Sequence, residues 1–266
     1  MRVVASIAPW LPWIKGLLPH SVLLGGKAAE LYYFSILEKP TPALLVKETI
    51  LGMERGGKAN KAFHEHLLHQ GFQRRLGSSE MIPPSAPLYF REDLGYIEIH
   101  CPQKGTLRHP YSEGLSAIPD PWVYLLLEDP HSVEMRYLGE KYTVKIPQTG
   151  RYILVNGLQM RTSKTDSLET IYRASKNLVL ILYLLVSHEE LREETLNDLA
   201  QVKPKSLIKE FQEILRENGP GSAVWEGAQK SFLGLFPETK AVELTSWYWK
   251  FIPALSKVLK EKNDGS

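Results

Sequence analysis

Four stretches of this chain carry residue types whose spacing could do chemistry. The first is SVLLGGKAAELYYFSILE, residues 21–38, where a β-branched and leucine run meets Gly25-Gly26-Lys27 and then a series of helix formers. A glycine turn at a helix start presents backbone N–H groups and the positive end of the helix dipole, which suits a phosphate. Lys27 is unfavourable to that dipole, and an anion nearby would offset it. The second is GMERGGKA, residues 52–59. It fits the phosphate-loop spacing G-x-x-x-x-G-K but ends in Ala59, which has no hydroxyl for magnesium. The third is HEHLLH, residues 64–69. His64 and His69 stand about 140° apart around a helix, whereas His66 and His69 could share a face as a two-histidine metal site; the plainer reading is an exposed helix face. The fourth is GYIEIHCP, residues 95–102, which alternates so that Ile97 and Ile99 face one way and Glu98 and His100 the other.

The totals bound what these stretches can serve. A chain of 266 residues can form one large domain or two modest ones. It is 43% hydrophobic and 23% charged with a formal charge of +2, so no global charge argues for a nucleic-acid partner, although local patches remain open. Cys101 is the only cysteine and cannot form an internal disulfide, which points to a reducing compartment and a buried structural thiol. The start, MRVVASIAPWLPWIKGLLPH, is interrupted by three prolines and Lys15 and reads as part of the fold rather than a signal peptide. The longest apolar run, NLVLILYLLV at 177–186, is shorter than the roughly 20 residues a bilayer span needs, so a buried helix, no membrane partner and a cytoplasmic location are expected.

The elements that must position these residues follow from periodicity and turn chemistry. Residues 21–24 read as a strand, 27–38 as a helix and PALLVKETI, 42–50, as the next strand. Residues 58–70 read as a helix closed by Gly71. PLYFRED and GYIEIHCP read as strands, 103–121 as a Pro- and Gly-rich loop, and SVEMRYLGEKYTVKIP as a hairpin turning at Gly139. WVYLLLEDP, 122–130, is apolar enough to serve as the acid-bearing strand of a phosphate-loop protein. After Pro147 strand patterns nearly cease: 167–199, 205–219, 222–236 and 240–262 read as helices. Within the last, SWYWKF at 246–251 reads as helix core or a subunit contact.

Taken in order, these motifs resemble a bacterial and archaeal family within the polymerase-β-like nucleotidyltransferase superfamily, laid out as G-G-x-A, T-x-D-x-D, a helix ending L-x-x-x-G-F, a strand with an acid and proline, a hairpin and a helical tail. Gly25-Gly26-Lys27-Ala28 matches the first element, Thr41 the threonine of the second, LLHQGF at 67–72 the helix end, and EIHCP at 98–102 the later acid strand. VKIPQTGRYILVNGLQMR at 144–161 and ASKNLVLILYLL at 174–185 match further stretches, with Val155-Asn156-Gly157 where the family has H-K-L and Asn177 where it has Asp. The resemblance covers about residues 20–190. In that superfamily the glycine turn holds a nucleoside triphosphate, and an aspartate pair with a third acid holds two Mg²⁺ ions.

Here the pair is missing. With Thr41 aligned, the two positions are Ala43 and Leu45, and the nearest acids are Glu38 and Glu48. The resemblance therefore implies an α+β fold: a nucleotidyltransferase-like mixed sheet with flanking helices over 1–150, and a helical domain over 151–266. It implies a nucleotide (NTP) held by Gly25, Gly26, Lys27 and Thr41, with Arg161 and Lys176 of the second half facing an interdomain cleft. Arg151 and Arg173 belong to the same basic set. Glu98 is the remaining catalytic and metal-binding acid, and Mg²⁺ is implied only if the protein is active. Loss of the pair removes several kcal/mol of transition-state stabilisation, so a degenerate site is expected that binds a nucleotide or nucleic-acid end. Three alternatives stand: an active Mg²⁺-dependent NMP transferase with a shifted acidic site, acting on a small molecule, RNA or protein; a protein-interaction module; and a divergent phosphate-loop NTPase.

Overall fold

The structure is a computed structural model that describes residues 6–32, 48–54, 58–76, 87–103, 111–112, 115–161, 167–187 and 189–260. Thr41, Ala43, Leu45 and Glu38, like Gly56 and Gly57, lie outside the described residues. The chain divides into two compact units, Met1–Pro147 and Gln148–Ser266, just ahead of the expected boundary at 150.

The first unit runs α1 (Leu11–Ile14), β1 (Ser21–Leu24), α2 (Gly25–Tyr32), β2 (Glu48–Met53), α3 (Lys58–His69), β3 (Gln73–Leu76), β4 (Pro87–Arg91) and β5 (Gly95–Pro102). It continues through β6 (Tyr111–Ser112), β7 (Leu115–Ser116), β8 (Ile118–Asp120), α4 (Val123–Leu127), β9 (His131–Tyr137) and β10 (Glu140–Ile146). The main sheet is mixed and six-stranded, in the order β1-β2-β5-β4-β3, with β8 also paired to β5. β2, β5 and β8 are parallel, whereas β1–β2, β5–β4 and β4–β3 pair antiparallel.

The two faces of this sheet differ. Thr49, Leu51, Tyr89, Ile97 and Ile99 are fully buried on one face, and α3 lies against it, since His64 Nδ1 meets the Tyr89 hydroxyl at 2.8 Å. The alternate residues Glu48, Ile50, Phe90, Tyr96, Glu98 and His100 are only half-buried. Period-two alternation thus gives a closed face and a half-open one. α4 covers one end of the half-open face: a Cβ on Gly52 would come within 3.0–3.3 Å of Leu24, Leu127 and Val123, so the glycine lets the helix approach.

Several expectations are met locally. α3 closes as a Schellman turn, with Phe72 N donating to Leu67 O and Gly71 N to Leu68 O. β9 and β10 form the expected hairpin, and Leu138 and Gly139 between them both have positive φ, as a type I′ turn demands. Others are corrected. Residues 103–121 are not simply a loop, because β8 pairs with the end of β5. Residues 123–127 are helix α4, not an apolar strand. β2 runs on to Met53, beyond the strand expected over 42–50, because alternation and β-branched Thr49 and Ile50 favour extension there.

The elements described in the second unit are all helices: α5 (Thr149–Leu158), α6 (Leu168–Ser187), α7 (Glu189–Leu199), α8 (Ser206–Glu217), α9 (Ala223–Leu235) and α10 (Ala241–Lys260). Every residue of α5 is buried. One of its open N-terminal amides is satisfied from α7, where Asp198 Oδ2 accepts from Arg151 N at 2.8 Å. No helix among the described residues is long and apolar enough to cross a membrane.

Candidate functional site

A line of register partners crosses the half-open face. Leu24 of β1 pairs with Ile50 of β2, and Ile50 pairs with Glu98 of β5. Gly25 follows Leu24 directly and opens α2 at φ +64°, a backbone conformation that L side chains rarely adopt. A Cβ there would lie 2.9 Å from Ile50 Cδ1. The glycine turn and Glu98 therefore flank Ile50 on one face, about 10 Å apart at two strand spacings. Gly26 is buried beneath the turn.

Lys27 has a different surrounding from the one its sequence position suggests. Only 2% of it is exposed, and its ammonium donates to the backbone carbonyl of Glu48 at 2.7 Å, beside the Trp10 ring. Burial lowers its pKa to about 8, against the opposing pull of Glu48 and Glu30. Glu30 is equally buried; its Oε2 accepts from Ser6 N at 2.9 Å, and its Oε1 has no hydrogen-bond partner among the described residues. Lys27 thus ties α2 to β2 from beneath the turn.

Glu98 heads a carboxylate–imidazole–carboxylate row. His100 Nε2 stands 3.3 Å from Glu98 Oε2, and His100 Nδ1 stands 3.4 Å from Asp120 Oδ2. The second oxygen of Asp120 accepts from Trp122 N at 2.8 Å, fixing the turn into α4. The three side chains are 13%, 18% and 10% exposed. Burial disfavours the charged imidazole, but hydrogen bonds and charge from Asp120 and Glu98 outweigh it and raise His100 to about 9. Asp120 likewise feels burial pushing up, yet His100 and the amides of Trp122 and Val123 hold it below its ordinary value. At neutral pH His100 is an imidazolium with both ring nitrogens engaged, one toward Glu98 and one toward Asp120.

Among the described residues no group of three or more His, Cys, Asp or Glu side chains is placed to hold a metal ion, and one oxygen of Glu98, Oε2, meets His100 Nε2 at 3.3 Å. The histidine run is likewise engaged elsewhere, with His64 on Tyr89 and His66 Nε2 on the carbonyl of Trp13 at 3.1 Å. Gly52, the first glycine of the phosphate-loop pattern, lies inside β2 under α4.

The remaining expected residues lie in the second unit. Arg161 follows α5, largely exposed, and pairs with Glu210 at 3.2 Å. Lys176 is exposed on α6. Arg151 is buried against Asp198 at 3.4 Å, and Arg173 pairs with Glu169 one helical turn away. In α10, Tyr248 is buried and donates to Leu215 O, while Trp247 underlies the Arg192 guanidinium at 3.5 Å, in keeping with a packing role.

Sequence reasoning missed Asp120 and the part played by His100. Alternation puts His100 on the face of Glu98, but a three-residue strand reading Ile-Pro-Asp carries no periodic signal. Only the pairing of His100 with Ile118 brings Asp120 into reach. No protein-family model matches the chain, and neither a curated protein nor a solved structure shows significant similarity to it.

Proposed function

We propose that this chain is a nucleotidyltransferase-fold protein that binds a nucleoside triphosphate at the Gly25-Gly26 turn without transferring it. The observation that carries the reading is the row Leu24–Ile50–Glu98, which sets a glycine turn at a helix start beside a half-open sheet face. Backbone amides at that turn and the α2 dipole favour a phosphate. Transfer by such a fold needs carboxylate oxygens to cage Mg²⁺. Ala43 and Leu45 supply none, and His100 already engages Glu98.

Calorimetry with ATP, CTP, GTP and UTP, with and without Mg²⁺, tests this. At least one nucleotide should bind, with an affinity little changed when Mg²⁺ is removed, and no pyrophosphate should be released. Absence of heat with all four would refute the binding. A second reading, an active transferase with a shifted acidic set, is favoured by one feature: Glu48 and Glu98 lie on the same sheet face, on adjacent strands. Mg²⁺-dependent pyrophosphate release that vanishes in both Glu48→Ala and Glu98→Ala would establish that reading and overturn the first.

A further inference from the structure

The half-open face continues past Glu98 to the far edge of the sheet. Tyr96 pairs with Phe90, and Phe90 with Gln73, so one face carries Tyr96, Phe90, Gln73 and Arg75 across β5, β4 and β3. The Phe90 and Tyr96 rings lie 4.9 Å apart, tilted by 44°. The Arg75 guanidinium lies 3.9 Å from the Phe90 ring centroid, and one of its nitrogens reaches Gln73 Oε1 at 3.4 Å. A planar cation held on an aromatic ring presents its outer plane ready-made. Arg75 and Phe90 both line a hollow of about 460 Å³, roomy enough for a nucleobase.

The charges around this hollow say what would enter it. Arg91 also lines it, but its guanidinium is held by Asp93 at 2.7 Å, by the carbonyl of Gln70 at 2.9 Å and over the Trp13 ring at 3.6 Å. Glu92 and Asp93 stand on the rim with Arg75 and Arg91, two acids against two bases. A phosphate seated inside the hollow would meet both carboxylates. A flat base would instead stack on Arg75, and its N–H donors could face the Glu92 carboxylate.

We propose that the Arg75–Phe90–Tyr96 ladder on β3, β4 and β5 is a stacking platform for the bases of a single-stranded nucleic acid lying across the half-open face. The proposal extends the nucleotide-binding reading of that face. β3 is two strand spacings, about 10 Å, from β5, so a strand stacked on Arg75 leads across the sheet toward Glu98.

Fluorescence anisotropy of the full chain with end-labelled single-stranded purine RNA of 12 nucleotides tests it. Wild-type protein should bind the single strand at least tenfold more tightly than a duplex of the same sequence, whose bases are already stacked. Arg75→Lys keeps the charge and loses the plane, and it should weaken binding about tenfold with an unchanged salt slope. Phe90→Leu, which removes the backing ring, should do the same. No binding by the wild type, equal affinity for the duplex, or Arg75→Lys binding as the wild type would each overturn the proposal. The two readings fail separately. Gly25→Ala should abolish NTP heat and spare the anisotropy signal, whereas loss of strand binding with NTP heat intact sinks the platform alone.

Discussion

Replacing His100 with glutamine turns the buried charge row into a measurable dependence on pH. In the folded chain His100 is raised to about 9 from an ordinary 6.5. A group whose folded pKa is raised stabilises fully below the unfolded value and loses that contribution as pH climbs through the folded one. The difference between 6.5 and about 9 corresponds to about 3 kcal/mol, since a tenfold change in proton affinity is about 1.4 kcal/mol. Lys27 works in the opposite sense. Its folded pKa of about 8 is below the ordinary 10.5, so stability recovers as pH rises from 8 toward 10.5. The wild type alone would therefore show a fall from pH 6.5 to 8, a flat stretch to about 9 and a rise from there toward 10.5. The difference between wild type and His100→Gln removes the Lys27 contribution. Urea unfolding of both at intervals from pH 6 to 10 should give a stability gap of about 3 kcal/mol at pH 6 that closes by pH 10. NMR of the His100 ring should place its titration near 9. A gap that does not vary with pH, or a ring titrating near 6.5, would refute the charge assignment.

Other outcomes follow from single contacts. Gly25→Ala should cost about 1–2 kcal/mol for its left-handed φ, plus the clash with Ile50 Cδ1 2.9 Å away, and Ile50→Val should restore part of the loss in urea melts. Gly157→Ala places a Cβ 2.1 Å from the Phe211 ring and should destabilise the helical unit by roughly 1–3 kcal/mol, with recovery when Phe211→Leu is added. Lys27→Met loses the bond to the Glu48 carbonyl; its unfolding curves should keep falling between pH 8 and 9, where the wild type is flat, and should lack the rise above pH 9. Asp120→Asn removes the charge of one of the two acceptors of His100 and should bring the ring titration down from about 9 toward its ordinary value, read by NMR.

Much of the fold was written in local spacing. The period of two in GYIEIHCP and SVEMRYLGEKYTVKIP, the Gly71 helix end and the helical run after Pro147 all appear where the sequence puts them, because each depends on neighbours within a few residues. The sequence alone also determines that Ala43 and Leu45 supply no carboxylate and that Glu98 shares a face with His100. Tertiary structure decided the rest. Asp120 reaches His100 through the parallel pairing of β8 with β5, Lys27 turns to the carbonyl of a strand 21 residues on, and Arg75 stacks on Phe90 through the β3–β4 register. Register and helix-on-sheet packing are set by which faces the whole chain can bury at once, and no window of neighbouring residues contains that information.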